Sequence, residues 1–120
     1  METIKFLIVL GKAKTKEGYT ALVAAANGGN IEVVKYFIKQ GIDITYQNSA
    51  GYSALMIAAE KNDINITKLL VNNGANVNAK NYIGSTALMK AVENSRCQLN
   101  VVKFLVENNT DVNIPVANHF

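Results

Sequence analysis

Residues 48–80 read NSAGYSALMIAAEKNDINITKLLVNNGANVNAK. The run divides into a turn at Gly51, an apolar segment over 53–60 with helical spacing, a second helical segment over 65–73 and a glycine stop at Gly74. Upstream, residues 18–45 copy it as GYTALVAAANGGNIEVVKYFIKQGIDIT; downstream, residues 84–113 copy it as GSTALMKAVENSRCQLNVVKFLVENNTDVN. Gly18, Gly51 and Gly84 recur every 33 residues, followed by Leu22, Leu55 and Leu88 and by the small pairs Ala25-Ala26, Ala58-Ala59 and Ala91-Val92. Gly41 and Gly74 are also 33 apart, but the matching Asn109 follows at 35, so the third copy holds two extra residues within 93–99. Fixed self-similarity at this length is the signature of a solenoid, in which each unit buries its apolar face against its neighbours.

Each recurring residue has a physical job. Gly18, Gly51 and Gly84 suit a turn that needs positive φ. Thr20, Ser53 and Thr86 precede apolar helical runs, where a hydroxyl can cap free backbone N–H groups for about 1 kcal/mol. The alanine pairs let one helix approach the next closely. Ile31, Val34, Phe37 and Ile38 give the second helix its apolar stripe. Gly41 and Gly74 suit the left-handed residue that closes a helix, and Asn109 is the next-best choice there.

On these residues the chain resembles the ankyrin repeat family. Gly51, Ser53, Leu55, Ala58, Ala59, Leu69, Leu70, Gly74, Ala75, Val77 and Asn78 fall directly on the family pattern, in three tandem copies that cover nearly the whole chain. The family's proline and histidine near the first helix are replaced by Ala21 and Val23, Ala54 and Met56, and Ala87 and Met89. The resemblance implies an all-α ankyrin-repeat solenoid of stacked helix-turn-helix units with short β-turn fingers. It also implies protein–protein recognition through a concave face made of the fingers and the first helices, with no reaction catalysed and no cofactor.

The copies divide the chain into a repeat over 15–47, a second over 48–80, a third over 81–115 with the two-residue insertion, and a tail over 116–120. Residues 1–14 are a leading half-repeat and connector: Ile4-Lys5-Phe6-Leu7-Ile8 matches Val34-Lys35-Tyr36-Phe37-Ile38, and Gly11 matches Gly41. That match outweighs reading the N-terminal apolar run as a signal peptide, whose core is normally longer. Repeat arrays need polar outer faces on their end units. Here Val9 and Leu10 stand where Lys39 and Gln40 do, and the third copy keeps Leu99, Val102, Phe104, Leu105 and Val106. The alternative function is therefore a structural block of a larger ankyrin array, or a self-associating scaffold, whose contacts are the exposed array ends.

The chain has 120 residues, enough for one domain, with 49% apolar and 18% charged residues and a net charge of only +3, a weak argument for nucleic acid. The one cysteine, Cys97, rules out an internal disulfide and fits a reducing, cytoplasmic setting. Catalysis finds little footing. A zinc site needs several His or Cys ligands, and there is one of each, Cys97 and His119. Glu60 and Glu93 hold equivalent places in adjacent copies but read as solvated carboxylates at helix ends. Asn27-Gly28-Gly29-Asn30 reads as an inter-helix turn, not a phosphate loop.

The placement of the tyrosines points to binding. Tyr36 belongs to a second helix, whereas Tyr19, Tyr46, Tyr52 and Tyr82 fall in or beside the inter-repeat turns. Tyrosine supplies contact area at low entropic cost and is enriched at binding surfaces. By the family's geometry, the partner-binding surface centres on Tyr52 and Tyr82. Lys16, Glu17, Ser49, Ile83 and Ser85 lie along the fingers, with Glu60, Lys61, Lys80 and Glu93 as charged rim.

Overall fold

The structure is a computed structural model and describes residues 16–94, 96 and 98–108. The leading half-repeat at 1–14, the Asn109 helix stop, Cys97 and the 116–120 tail lie outside the described residues.

Six helices are present among the described residues: α1 Lys16–Asn27, α2 Ile31–Lys39, α3 Ala54–Glu60, α4 Ile64–Asn72, α5 Ala87–Glu93 and α6 Leu99–Glu107. They pair as antiparallel hairpins, α1 with α2, α3 with α4 and α5 with α6. The first helices α1, α3 and α5 stack side by side in one row, and the second helices α2, α4 and α6 stack in another. The array is elongated, measuring 51 × 23 × 22 Å. The ankyrin solenoid expected from the repeat is thus present, and no strand occurs among the described residues.

Local chemistry sets the helix ends. Ser53 and Thr86 are N-caps as expected, their hydroxyls accepting from the N–H groups of Met56 and Met89 at 3.3 Å. Asn30 and Asp63 cap α2 and α4 in the same way. Gly41 and Gly74 close α2 and α4 with positive φ. The core runs between the two rows, where Leu22, Val34, Phe37, Leu55, Ile66, Leu70, Val101 and Leu105 are fully or almost fully buried. Each such aliphatic or aromatic side chain stabilises the fold by roughly 1.5–3 kcal/mol. Ala58, Ala59 and Ala91 are buried at the contacts between first helices, where a larger side chain would hold the rows apart. The Thr67 hydroxyl is buried without a hydrogen-bond partner at a position that the other two copies fill with Val34 and Val102.

The first repeat departs from expectation. Thr20 is not a cap and Gly18 is not in a turn. Among the described residues helix α1 spans Lys16–Asn27, Gly18 is buried inside it, and the Thr20 hydroxyl donates to the Lys16 carbonyl at 2.9 Å. The reason lies in the two repeats that do form fingers. In one, the Asn48 side-chain oxygen accepts from the N–H groups of Ala50 and Tyr52, both at 2.9 Å. In the next, the Asn81 side-chain oxygen accepts from Ile83 at 3.1 Å and Ser85 at 2.9 Å. Short polar side chains of this kind gather turn amides that a helix would otherwise use. The corresponding residue of the first copy is Thr15, which has no carboxamide, and the chain that follows it is helical instead.

The fingers also hold each other. The Tyr82 N–H donates to the Ala50 carbonyl at 3.1 Å. The Gln47 amide donates to the carbonyls of Gly51 at 2.6 Å and Lys80 at 3.0 Å. Gly51 sits where this contact is tightest: a Cβ there would lie 2.8 Å from the Asn81 Cα and 2.9 Å from the Tyr82 nitrogen, on a residue with φ of 87°. Gly84 has nearly the same φ, 88°, with open space around it. Gly84→Ala therefore carries only the left-handed backbone penalty, about 1–2 kcal/mol. Gly51→Ala adds a backbone clash and should lose about 2–5 kcal/mol. Urea denaturation of the two variants checks this; equal losses would show that the fingers can separate freely.

Candidate functional site

Lys16, Tyr19, Tyr46, Ser49 and Tyr82 line one depression and Glu60 and Lys61 another, so the residues expected to form one binding surface do not all meet. The first is open, about 530 Å³, and lies where the fingers meet α1. Lys16, Tyr19, Tyr46, Ser49 and Tyr82 meet there, together with Thr20 and Gln47. Tyr46 is half-buried and packs on the buried Tyr19 with ring centroids 5.2 Å apart and planes at 37°. Tyr19 therefore supports this wall rather than offering contact area. At the tip of the second finger, Tyr82 and Ile83 are 79% and 82% exposed. Ser85, at the base of the same finger, is buried and its N–H is taken by Asn81. Lys80 and Glu17 are exposed beside the fingers and on α1.

The second depression, about 280 Å³, is at the C-terminal ends of the first helices, lined by Asn27, Ile57, Glu60, Lys61 and Asn94. Helix α3 rises about 1.5 Å per residue, so its seven residues set Glu60 and Lys61 well away from the fingers. The insertion loop closes this end. The Asn94 amide donates to the Glu60 carbonyl, and the Gln98 N–H donates to the Asn62 side-chain oxygen at 2.7 Å. Asn62, with φ of 57°, is the non-glycine residue in the left-handed region among those described, and its amide reaches the Ala91 carbonyl at 3.5 Å. The two extra residues thus sit in a loop tied back to the preceding repeat.

Between the depressions lies a residue that sequence reasoning missed, Lys90. It stands where the other copies have Ala24 and Ile57, and that lone charge at an apolar position is the signal that could have found it. Its side chain is largely buried, with the ammonium 5.3 Å from the Tyr52 ring centroid and 3.2 Å from Glu93 Oε1. The Tyr52 side chain foremost, then Glu93 and the field of Glu60, hold the lysine pKa above its ordinary value, against the lowering effect of burial. Cation, ring and carboxylate satisfy one another here. Tyr52 is therefore half-buried over Lys90 rather than free for a partner. Glu93 pairs directly with this lysine, whereas Glu60 acts on it only through its field.

Among the described residues no group of three or more His, Cys, Asp or Glu could hold a metal ion. No helix among them is long and apolar enough to cross a membrane. His119 and Cys97 lie outside the described residues.

Burial, and secondarily the charge of Tyr46, raises the Tyr19 pKa, just as contact with Tyr52 and the carboxylates raises that of Lys90. In both cases the folded state holds the proton more tightly than the unfolded chain. The stability this contributes is complete below the ordinary values near 10 and is lost as pH rises through the folded-state values. The denaturant midpoint should stay level at neutral pH and fall above roughly pH 10, less steeply in Tyr19→Phe. Identical alkaline slopes in the two proteins would remove Tyr19 from this account.

A family model described as ankyrin repeats (3 copies) matches residues 1–81 and, in a second overlapping match, residues 42–116. No curated protein matches the chain.

Proposed function

The chain belongs to the ankyrin repeat family, whose members are generally protein–protein interaction modules and typically non-catalytic, and from this premise we propose that it binds a partner protein through the face shared by its fingers and first helices, catalysing no reaction. The observation that carries this reading is the finger tip at Tyr82 and Ile83. Two large apolar side chains stand almost fully in water on a turn whose amides are held by Asn81 and whose backbone is bonded to the neighbouring finger. An exposed aromatic on a rigid support loses little entropy when a partner covers it. The open depression beside it, walled by Tyr46 and edged by Lys16 and Ser49, gives the partner a recess next to that anchor. Lys16 and Lys80, exposed at the fingers, would set charge selection around it, with Glu60 and Lys61 acting only on a partner long enough to reach the second depression. Such a module would work in the cytoplasm, with no cofactor, no small-molecule substrate and no nucleic acid as its main partner.

A second reading is favoured by one observation. Met89 and Val92 are 49% and 55% exposed, whereas their counterparts one repeat earlier, Met56 and Ala59, are 1% and 0% exposed beneath the next pair of helices. The outer side of the third repeat is thus an apolar stacking face. This supports a block within a longer array, or self-association through the array end.

Tyr82→Ala combined with Ile83→Ala separates the two readings, because neither side chain is packed. Helical content should be unchanged, and capture of a partner protein from lysate of the source organism should fall by more than about tenfold, as expected for two anchor residues. Equal capture by the variant, with wild-type mass rising with concentration in light scattering, would contradict the finger reading and support the array-end one.

A further inference from the structure

The second-helix row carries a feature that the finger face does not use. Lys35, Lys68 and Lys103 each occupy the fifth position of their helices, α2, α4 and α6. No other charged residue recurs in all three: the second position holds Glu32, Asn65 and Asn100, and the ninth Lys39, Asn72 and Glu107. The three lysines are exposed, so core packing does not require them. They lie in the middle of nine-residue helices, beyond the last turn in which a cation gains from the helix dipole.

Their charges are largely unspent. Lys35 has an ion pair with Glu32 at 3.7 Å, with both side chains exposed, an arrangement worth little in water. Lys68 and Lys103 form no salt bridge among the described residues. The Lys68 ammonium lies 5.8 Å from the Phe104 ring centroid, over an apolar floor. Between α4 and α6 runs a shallow groove of about 340 Å³, lined by Ile64, Lys68, Asn100, Lys103, Phe104 and Glu107. It shares no residue with the two depressions on the first-helix side.

We propose that this outer face is a second docking surface, which takes an extended acidic segment of a partner protein whose carboxylates recur every third residue. Stacked helices lie about 8–10 Å apart, so equivalent lysines on neighbouring repeats are spaced by about that distance. An extended left-handed chain has three residues per turn at about 3.1 Å each, which puts every third side chain on one face about 9 Å apart. Successive carboxylates then meet Lys35, Lys68 and Lys103, and an apolar residue between the last two rests on Ile64 and Phe104. Glu32 and Glu107 flank the row and repel an acidic segment displaced along the helices, while the lysines themselves repel a basic one. The surface is separate from the finger site, so the two can be occupied together.

The test uses the full chain and a fluorescent peptide of four Glu-Pro-Leu units. Fluorescence anisotropy should show saturable binding that weakens with added salt. The Lys35→Gln, Lys68→Gln, Lys103→Gln triple variant should bind at least about tenfold more weakly, with partial losses in the single variants. A peptide of the same composition with its glutamates contiguous should also bind more weakly, and Tyr82→Ala with Ile83→Ala should leave peptide affinity unchanged. Circular dichroism of the triple variant confirms that the helices persist. Equal binding by the triple variant or by the contiguous peptide overturns the proposal. So does an absence of saturation, or tighter lysine-dependent binding of a single-stranded oligonucleotide or of anionic vesicles than of the peptide.

Discussion

Burial of the middle repeat from both sides is the constraint on which everything else rests. Leu55, Ala58 and Ala59 lose essentially all contact with water because α1 packs on one side of α3 and α5 on the other. No single hairpin of two short helices can do this alone, which is why the unit exists only as an array. Alanine at the contact is what permits the approach, since a longer side chain would have to be accommodated by moving a whole row. The same logic leaves Met89 and Val92 uncovered on the outer side of the third repeat, where they stand in the place of residues that are buried one repeat earlier.

That lateral packing fixes the fingers. Once the first helices are in contact, the turns above them are brought so close that Gly51 can carry no side chain. The Ala50 carbonyl then receives the Tyr82 N–H, and Gln47 bridges to Lys80. Asn48 and Asn81 hold each turn internally. The result is a rigid edge with Tyr82 and Ile83 at its tip, and rigidity is what makes exposed aromatic surface useful for recognition. The charged chemistry separates by layer. On the first-helix side, Lys90 is tied up with Tyr52, Glu93 and Glu60. On the second-helix side, three lysines stand in register with little to neutralise them.

Most of the fold was legible because repetition multiplies weak signals. A glycine stop, a hydroxyl cap and an alanine pair are each ambiguous once and unambiguous when they recur at 33 residues. The helix limits over 53–60 and 65–73 fell within one residue of those observed. The first repeat misled because its Gly18 and Thr20 copy the pattern, whereas the Asn48 and Asn81 side chains that make the turn have Thr15 as their counterpart. The site was less legible. Sequence places tyrosines near turns but does not say which way they point, and the four differ: Tyr19 is buried, Tyr46 and Tyr52 are half-buried and Tyr82 is free. That difference arises from neighbours a repeat away, such as Lys90 beneath Tyr52, a contact between residues 38 positions apart in the chain.

Native-state hydrogen exchange tests most directly whether stacking from both sides holds the array together. If it does, the amides of Ile57–Glu60 in α3 exchange most slowly, the finger amides of Tyr52 and Ser85 share much of that protection, and those of α5, covered on one side, exchange faster. Equal protection of α3 and α5 would contradict the account, because each hairpin would then be holding itself together without its neighbours.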